Sequence, residues 1–220
     1  MEKGNPNRWL NLDQLAHLET VPALWSDKRS KTPGTDYVGH DYLRFYDREW
    51  SKWRDQPIRL LEIGLNVGAS VKLWLQYFSQ AKIFGVDIAD FKFAPEIEKF
   101  IMDNGLLPRF NFTRGDAGGP VFLKSFVEAN LEPVDIIIDD GSHFSGPIIE
   151  AFNHLWPQVK PGGYYVIEDL GEVLNPESHT LGHPDQVEFC QALLGFVMLG
   201  HPNIDEAFVS KELVMLRKKS

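Results

Sequence analysis

The sequence is poor in cysteine, in positive charge and in long apolar runs. Its 220 residues include one cysteine, Cys190, which excludes an intrachain disulfide and a thiolate metal cluster and favours a reducing compartment. Lys and Arg total 22 against 31 Asp and Glu, so neither nucleic acid nor an anionic membrane surface is an expected partner. No apolar run reaches the ~18 residues of a membrane span, and residues 1–30 show no signal-peptide pattern. We therefore expect a cytoplasmic protein without a membrane partner.

From Ile58 onward, short apolar runs alternate with segments of helical spacing. This alternation predicts an α/β fold with a doubly wound, mostly parallel sheet. The runs "IDEAFVS" and "ELVMLRKK" lie close enough to form a C-terminal antiparallel hairpin, which brings the expected total to seven strands. We expect residues 1–54 to form a loop and helix extension that covers the active site, and residues 55–220 to form one globular domain. In such sheets ligands bind beyond the carboxyl ends of the strands, so the residues that follow each run are the candidates for a site.

The first strand-turn-helix segment, "LLEIGLNVGAS", predicts a cofactor site. Gly64 and Gly68 allow a tight turn and a close backbone approach, and the helix that follows offers free N–H groups. Asn66 stands where a dinucleotide-binding loop has its middle glycine, which disfavours NAD and FAD. An acid before the loop, Glu62, suits an ammonium group, and S-adenosylmethionine (SAM) carries both an ammonium group and a carboxylate for the helix start near Ser70. The alternative is a plain strand-to-helix turn without a ligand.

Two further acids follow the second and third predicted strands. Asp87 lies where an acid often accepts hydrogen bonds from ribose hydroxyls, and Asp116 could receive the adenine amino group. Acids also occur at strand ends in proteins that bind no ligand. Together with the glycine loop, however, they favour SAM.

Four carboxylates end the fourth and fifth predicted strands: Asp139 and Asp140 in "IIIDDGSHF", and Glu168 and Asp169 in "YYVIEDL". If the two strands are neighbours, these acids repel one another unless a cation neutralises them. Magnesium prefers such oxygen ligands, whereas zinc prefers sulfur and nitrogen. The alternative is that one pair is solvated or caps the following helix.

His143 follows Asp140 by three residues. An imidazole titrates near pH ~6.5 and can accept a proton at neutral pH, so beside a metal it would be a general base. The alternative is an ordinary surface histidine at a helix start.

Several of these segments together resemble a known family. The residues "DDGSH", "PGGYYVIEDL", "LEIGLNVGASVKLW", "IFGVDI" and "GTDYVGHDYLRFYD" are similar to the macrocin and mycinamicin type of SAM-dependent sugar O-methyltransferases over roughly residues 34–170. The resemblance implies a Rossmann-like class I methyltransferase fold, a homo-oligomer, and His143 as the base. It implies that magnesium binds Asp140, Glu168 and Asp169, and that the SAM pocket includes Glu62, Ser70, Asp87, Asp116 and Asp139. We also expect Gly64 and Asn66, in the loop after the first strand, to bind the cofactor. Tyr37 stands where the family motif has lysine.

The sequence thus predicts a magnesium-dependent O-methyltransferase whose small-molecule acceptor carries adjacent hydroxyls. Chelation of two neighbouring oxygens would lower the pKa of the one to be methylated. This requirement fits a vicinal diol on a sugar of a natural product or glycan, or else a catechol. The alternatives are a protein that binds SAM without transferring its methyl group, and, less favoured, an NAD-dependent oxidoreductase.

Overall fold

The structure, a computed structural model, describes residues 7, 9–19, 26–30, 39–129, 132–170, 186–200, 202–210 and 212–220. Its α-helices are α1 (Leu12–Ala16), α2 (Leu43–Trp50), α3 (Ala69–Tyr77), α4 (Pro95–Asp103), α5 (Pro120–Glu128), α6 (Ser145–Leu155) and α7 (Gln186–Met198). Its strands are β1 (Arg59–Ile63), β2 (Lys82–Asp87), β3 (Phe110–Arg114), β4 (Val134–Asp139), β5 (Val159–Ile167), β6 (Ile204–Ser210) and β7 (Leu213–Lys218).

The strands form one seven-stranded sheet in the order β3-β2-β1-β4-β5-β7-β6. The central pairs β1–β4 and β4–β5 are parallel, whereas β7 pairs antiparallel with both β5 and β6. The predicted fold class, including the C-terminal antiparallel hairpin, is therefore confirmed. The order reverses between β1 and β4, and in doubly wound sheets such a reversal opens a crevice for ligands.

Two compact units make up the chain. The helical unit comprises Met1–Ile58, Asn66–Ile83 and Lys92–Phe110; the sheet unit comprises Arg59–Leu65, Phe84–Phe91 and Asn111–Ser220. The predicted division at residue 54, with an extension over the active site, is a different partition and stays a prediction.

The core of the sheet unit is built from rows of side chains that cross neighbouring strands. Leu61, Ile137, Tyr165 and Leu216 are paired in register on β1, β4, β5 and β7, and all four are fully buried. Residues in register project from the same face of a sheet, so the row presents one apolar surface to the helices α5, α6 and α7. Phe152 of α6 meets Tyr165 edge-on, with 5.1 Å between ring centroids. Each fully buried aliphatic side chain in this cluster contributes about 1.5–3 kcal/mol by leaving water.

The helical unit has an aromatic core. Tyr46 and Trp50 lie one turn apart on α2 and stack at 4.3 Å, while Trp74 of α3 meets Trp50 at 6.1 Å and 68°. All three rings are fully buried. Asp47, on the same helix, accepts hydrogen bonds from the Tyr77 hydroxyl at 2.8 Å and from the first backbone N–H of α1 at 3.2 Å. The aromatic spacing of α2 therefore serves packing.

One predicted helix is shorter than its pattern. The spacing of "HDYLRFYDREWSKW" predicts a single helix, but the α-helix ends at Trp50 and a 3₁₀ turn, Ser51–Trp53, completes the segment. The residues of this turn are more exposed, so less apolar burial supports a further α-helical turn.

Tyr37, which stands where the family motif has lysine, lies outside the described residues. Within the described parts of the chain, no helix combines the length and the apolar character needed to cross a membrane.

The turn after β1 allows a test of backbone constraint. Gly64 has a φ of +80°, and a Cβ atom there would lie 1.9 Å from the carbonyl oxygen of Asp140. Gly64→Ala therefore combines left-handed strain with a clash against backbone, and we expect it to lower the free energy of unfolding by about 3 kcal/mol or more.

Gly105→Ala is the matched control. Gly105 also has a positive φ, +63°, but a Cβ atom there would meet nothing within 4 Å. Only the left-handed strain applies, and the expected loss is about 1 kcal/mol. Urea unfolding of both variants without ligand measures the difference; equal losses would show that the approach of Asp140 does not constrain Gly64.

Candidate functional site

The carboxyl ends of the central strands are tied together by backbone hydrogen bonds that continue the sheet beyond its last paired residues. Each donor is the first residue after a strand, and each acceptor is the last or next-to-last residue of the neighbouring strand. The bonds run from Gly64 to Val86 at 2.9 Å, from Asp140 to Ile63 at 3.0 Å and from Glu168 to Asp139 at 3.0 Å. The residues that follow β1, β4 and β5 therefore hold fixed positions along one edge.

A cavity of about 160 Å³ opens at this edge of the sheet unit. Four of the residues predicted to bind a cofactor line it: Gly64, Asp87, Asp116 and Asp139. They come from the ends of four different strands, so the sheet brings together residues 75 positions apart in sequence. Such convergence at a topological reversal is typical of ligand sites in this class of sheet.

Asp87 organises the cavity wall. Its Oδ2 accepts the backbone N–H of Leu65 at 2.9 Å, and its Oδ1 accepts that of Ala89 at 2.9 Å. The two bonds connect the turn after β1 with the loop after β2. Each carboxylate oxygen retains a further lone pair, so Asp87 can still accept hydroxyl donors from a ligand.

Asp116 is fixed by its own turn. Its Oδ1 accepts the N–H of Gly118 at 2.9 Å, and its carbonyl oxygen accepts that of Gly119 at 2.9 Å. This Asx turn leads into α5 and leaves the remaining acceptor capacity of the carboxylate for a ligand.

Asp139 is a carboxyl group in an apolar row. It pairs in register with Ile63 on β1 and with Ile167 on β5, and it is 4% exposed. Burial raises the pKa of Asp139 to about 7, and the charge of Asp140 acts in the same direction. Hydrogen bonds from the Tyr165 hydroxyl, at 3.2 Å, and from the Gly141 N–H lower the pKa and offset part of the shift.

Asp140, His143 and Asp169 form a separate cluster at the same edge. The Nε2 atom of His143 lies 4.0 Å from Asp140 Oδ1 and 3.9 Å from Asp169 Oδ2. One ligand atom from each residue lies within 4.8 Å of the other two, and all three side chains are partly exposed. Two carboxylates at this distance repel each other, so a divalent cation or a protonated imidazole would stabilise the cluster.

The backbone at this cluster is unusual. His143 has a φ of +57° and Asp169 a φ of +56°, in the left-handed region that non-glycine residues rarely occupy. Such conformations cost about 1–3 kcal/mol each and concentrate at functional sites. Both residues follow a strand end, so the turn directs their side chains in a way that a regular strand or helix would not.

Four other predicted site residues lie neither in the cavity lining nor in the three-residue cluster. Glu62 is fully buried within β1 and does not line the cavity, and Glu168 is buried at the end of β5 outside the three-residue cluster. Asn66 and Ser70 belong to the helical unit, where Asn66 has a φ of +46° and Ser70 is buried in the first turn of α3. The predicted roles of these four residues stay predictions.

Sequence reasoning missed several cavity residues. They are uncharged and either follow the same strand ends or lie on α6: Ile88, Gly115, Ala117, Gly118, Gly141, Ser142, Pro147 and Ala151. Ile88, for example, is 67% exposed directly after Asp87. Nothing in the sequence marks Ile88 as a cavity residue, because its exposure is visible only in the folded chain.

The geometry agrees with comparisons with known proteins. A family model described as "Methyltransferase domain" matches residues 61–170, half of the chain. The chain belongs to this methyltransferase family. The matched region begins in β1 and ends just after Asp169, so it contains both the cavity and the three-residue cluster.

Among curated proteins, this methyltransferase domain is similar to several O-methyltransferases, including two from Streptomyces. It is 35% identical over 145 residues to 8-demethyl-8-alpha-L-rhamnosyl tetracenomycin-C 2'-O-methyltransferase of Streptomyces olivaceus, covering 62% of this chain and 35% of that protein. It is 36% identical over 138 residues to demethylmacrocin O-methyltransferase of Streptomyces fradiae, covering 60% and 32%. The resemblance stated from the sequence motifs is confirmed, and the chain spans about a third of the length of these relatives.

Among solved structures, the methyltransferase domain resembles MycE methyltransferase of the mycinamycin biosynthetic pathway, solved in complex with Mg and SAH (S-adenosylhomocysteine). The TM-score is 0.76 at 25% identity, with 97% of this chain and 56% of that chain covered. The likeness extends over almost the whole of the present chain.

The contacts of Asp87 predict a structural cost for a near-isosteric change. Asp87→Asn must turn its amide NH₂ group toward one of two backbone N–H donors, from Leu65 or Ala89, and leaves that donor without an acceptor. Because the Leu65 bond is part-buried and the Ala89 bond is exposed, we expect a loss of about 0.5–1.5 kcal/mol in the free energy of unfolding without ligand.

Asp116→Asn is the matched control for this change. One Asp116 oxygen accepts one N–H, that of Gly118, so the asparagine amide can keep its oxygen toward that donor. The expected loss is below about 0.5 kcal/mol. Urea unfolding of both variants decides the point, and a loss for Asp87→Asn no larger than that for Asp116→Asn would contradict the bridging role of Asp87.

Proposed function

We propose that this chain is a SAM-dependent, magnesium-dependent O-methyltransferase that methylates one hydroxyl of a vicinal diol on a sugar of a natural product or glycan. The observation that carries the proposal is the position of the Asp140–His143–Asp169 cluster directly after the cavity residue Asp139. A cofactor cavity and a cluster suited to a cation thus share one edge of the sheet. The rhamnosyl acceptor in the name of the tetracenomycin relative supports a sugar acceptor, and the Mg and S-adenosylhomocysteine in the MycE title support magnesium and SAM.

In this proposal the cavity binds the adenosine part of SAM. Asp87 accepts the ribose hydroxyls with the lone pairs that its two backbone bonds leave, and Asp116 accepts the adenine amino group. The turn at Gly64 gives close access to backbone, and Asp139 lies in the same wall. Glu62, Asn66 and Ser70 keep the cofactor-binding roles that the sequence predicts for them.

The donor set fits a hard divalent cation. Asp140 and Asp169 supply carboxylate oxygens within 4.8 Å of each other, and we propose Glu168 as the third ligand. Magnesium bound there would act as a Lewis acid that lowers the pKa of an acceptor hydroxyl. No cysteine accompanies the cluster, which disfavours a zinc-type donor set.

His143 removes the proton. Its Nε2 faces Asp140 and Asp169, and both carboxylates stabilise the imidazolium that forms when Nε2 accepts the proton of the acceptor hydroxyl. The acceptor oxygen then bonds to the methyl carbon of SAM as the bond from that carbon to sulfur breaks. The products are the methyl ether and S-adenosylhomocysteine, and the proton leaves the imidazole to solvent.

We further propose that the protein works in the cytoplasm as a homo-oligomer on a small-molecule acceptor, with no nucleic-acid or membrane partner. The net charge of −9 supports the absence of a nucleic-acid or anionic membrane partner, because an acidic surface repels phosphate groups. Size-exclusion chromatography with light scattering would measure the oligomeric state.

Metal removal tests the proposed reaction. With SAM and a panel of 6-deoxyhexose glycosides that carry adjacent hydroxyls, we expect EDTA to abolish methyl transfer and excess Mg²⁺ to restore it. A glycoside with one of the two hydroxyls removed should be a poor acceptor. Full activity in metal-free buffer would contradict the metal role, and SAM binding by calorimetry without transfer to any acceptor would favour a non-methylating protein.

Two substitutions in the cluster should lower the rate of methyl transfer for different reasons. His143→Ala removes the proton acceptor but no proposed metal ligand, so kcat should fall by roughly 10²–10⁴-fold with Mg²⁺ and SAM affinity nearly unchanged. Asp140→Asn should weaken Mg²⁺ binding, and high Mg²⁺ should restore part of its rate.

Mg²⁺ titrations of activity separate the two roles. If high Mg²⁺ restores the rate of His143→Ala, the histidine is a metal ligand. If His143→Ala retains more than about half of the wild-type rate, the histidine is neither base nor ligand.

A further inference from the structure

The loop that follows β2 forms one wall of the cofactor cavity. Asp87 and Ile88 line the cavity, and the loop continues through Ala89 and Asp90 toward solvent. Within the loop, the Asp87 carboxylate accepts the Ala89 N–H. Ile88 is 67% exposed, so its side chain contributes little packing that would hold the loop in place.

Arg114, the last residue of β3, connects to this loop at two points. Its Nε donates to the carbonyl oxygen of Ile88 at 3.2 Å, and its Nη1 donates to Asp90 Oδ1 at 2.9 Å. The next residue, Gly115, donates its backbone N–H to the carbonyl oxygen of Asp87 at 2.9 Å. A guanidinium group presents its donors in a rigid plane, so one side chain fixes both the backbone and the far end of the loop.

We propose that Arg114 is a positioning residue for the cofactor: it holds the loop 87–90 in the conformation that receives the adenosine part of SAM. Arg114 does not itself line the cavity, so it acts through Asp87 and Ile88. The inference rests on the proposed function, because it needs SAM as the ligand.

The exposure of the contacts indicates what they contribute. The side chains of Arg114 and Asp90 are 59% and 77% exposed, and exposed ion pairs add little to the stability of a folded protein. Pre-ordering a binding loop, in contrast, lowers the entropy lost when the ligand binds and so appears in affinity. We call the two hydrogen bonds from Arg114 to Ile88 and Asp90 the Arg114 brace. The brace should therefore affect cofactor binding more than unfolding.

The test is a set of variants at both ends of the brace. Arg114→Ala should raise the Kd for SAM and for S-adenosylhomocysteine by about 3- to 10-fold. 5'-Methylthioadenosine, which has the adenosine part without the amino acid, should lose the same factor. The KM for SAM should rise in parallel while kcat at saturating SAM changes by less than about twofold.

Two variants that remove only part of the Arg114 contacts should raise the Kd for SAM by a smaller factor. Arg114→Lys keeps a cation that can reach Asp90 but lacks the planar pair of donors, and Asp90→Ala keeps the bond to the Ile88 carbonyl. Both should lie between wild type and Arg114→Ala. In a double-mutant cycle, Arg114→Ala and Asp90→Ala should raise the Kd by less together than the product of their separate factors.

Arg217→Ala is the matched control. Arg217 pairs with Asp205 and Glu206 between β7 and β6, and its side chain is 28% exposed, so Arg217→Ala removes at least as much ion pairing as Arg114→Ala without touching the loop 87–90. Its affinity for SAM should equal that of wild type.

The possible outcomes separate the inference from the proposed function. Wild-type protein that binds no SAM overturns both. SAM affinity unchanged in Arg114→Ala, or lowered equally in Arg217→Ala, overturns the positioning role and leaves the proposed function standing. A fall in the unfolding midpoint large enough to explain the weaker binding would also overturn the positioning role.

Discussion

Parallel pairing of three central strands is the constraint on which the rest of this structure depends. Because β1, β4 and β5 run in the same direction in fixed register, their last residues end along one edge. The hydrogen bonds from Asp140 to Ile63 and from Glu168 to Asp139 extend the pairing one residue past the strands. The positions of the acidic residues are thus set by the sheet ladder, which is among the most rigid parts of a protein.

The same register explains why the acids at this edge differ from one another. Asp139 falls in a row of buried aliphatic residues, and its pKa is raised by burial. Asp140, one residue later, leaves the strand and is partly exposed next to His143. Adjacent carboxyl groups in sequence therefore have different environments, because Asp139 is the last residue of β4 whereas Asp140 lies just beyond it.

Tight backbone contact gives the edge its second property. The turn at Gly64 passes so close to the Asp140 carbonyl that a side chain would not fit, and His143 and Asp169 adopt left-handed conformations. Such strained positions persist only where surrounding structure holds them. The sheet unit supplies that support through its apolar rows, so the packed core and the site geometry are coupled.

The sequence alone determined the order of the elements and the strand ends. Apolar runs of strand length alternating with helical spacing are local patterns, and they identified the doubly wound sheet and its antiparallel tail. They also located Asp87, Asp116, Asp139 and Asp140, since each acid directly follows or ends an apolar run. Periodicity is visible without a structure because it depends only on neighbouring residues.

The tertiary structure decided which of these side chains meet. Four acids at two strand ends suggested one carboxylate cluster, and the structure groups Asp140 and Asp169 with His143, whereas Glu168 is buried and its role stays a prediction. Direction at a strand end depends on the φ of single turn residues, which periodicity does not encode. The brace from Arg114 to the loop after β2 joins residues 24 and 26 positions apart, and only the folded chain brings them within hydrogen-bond distance.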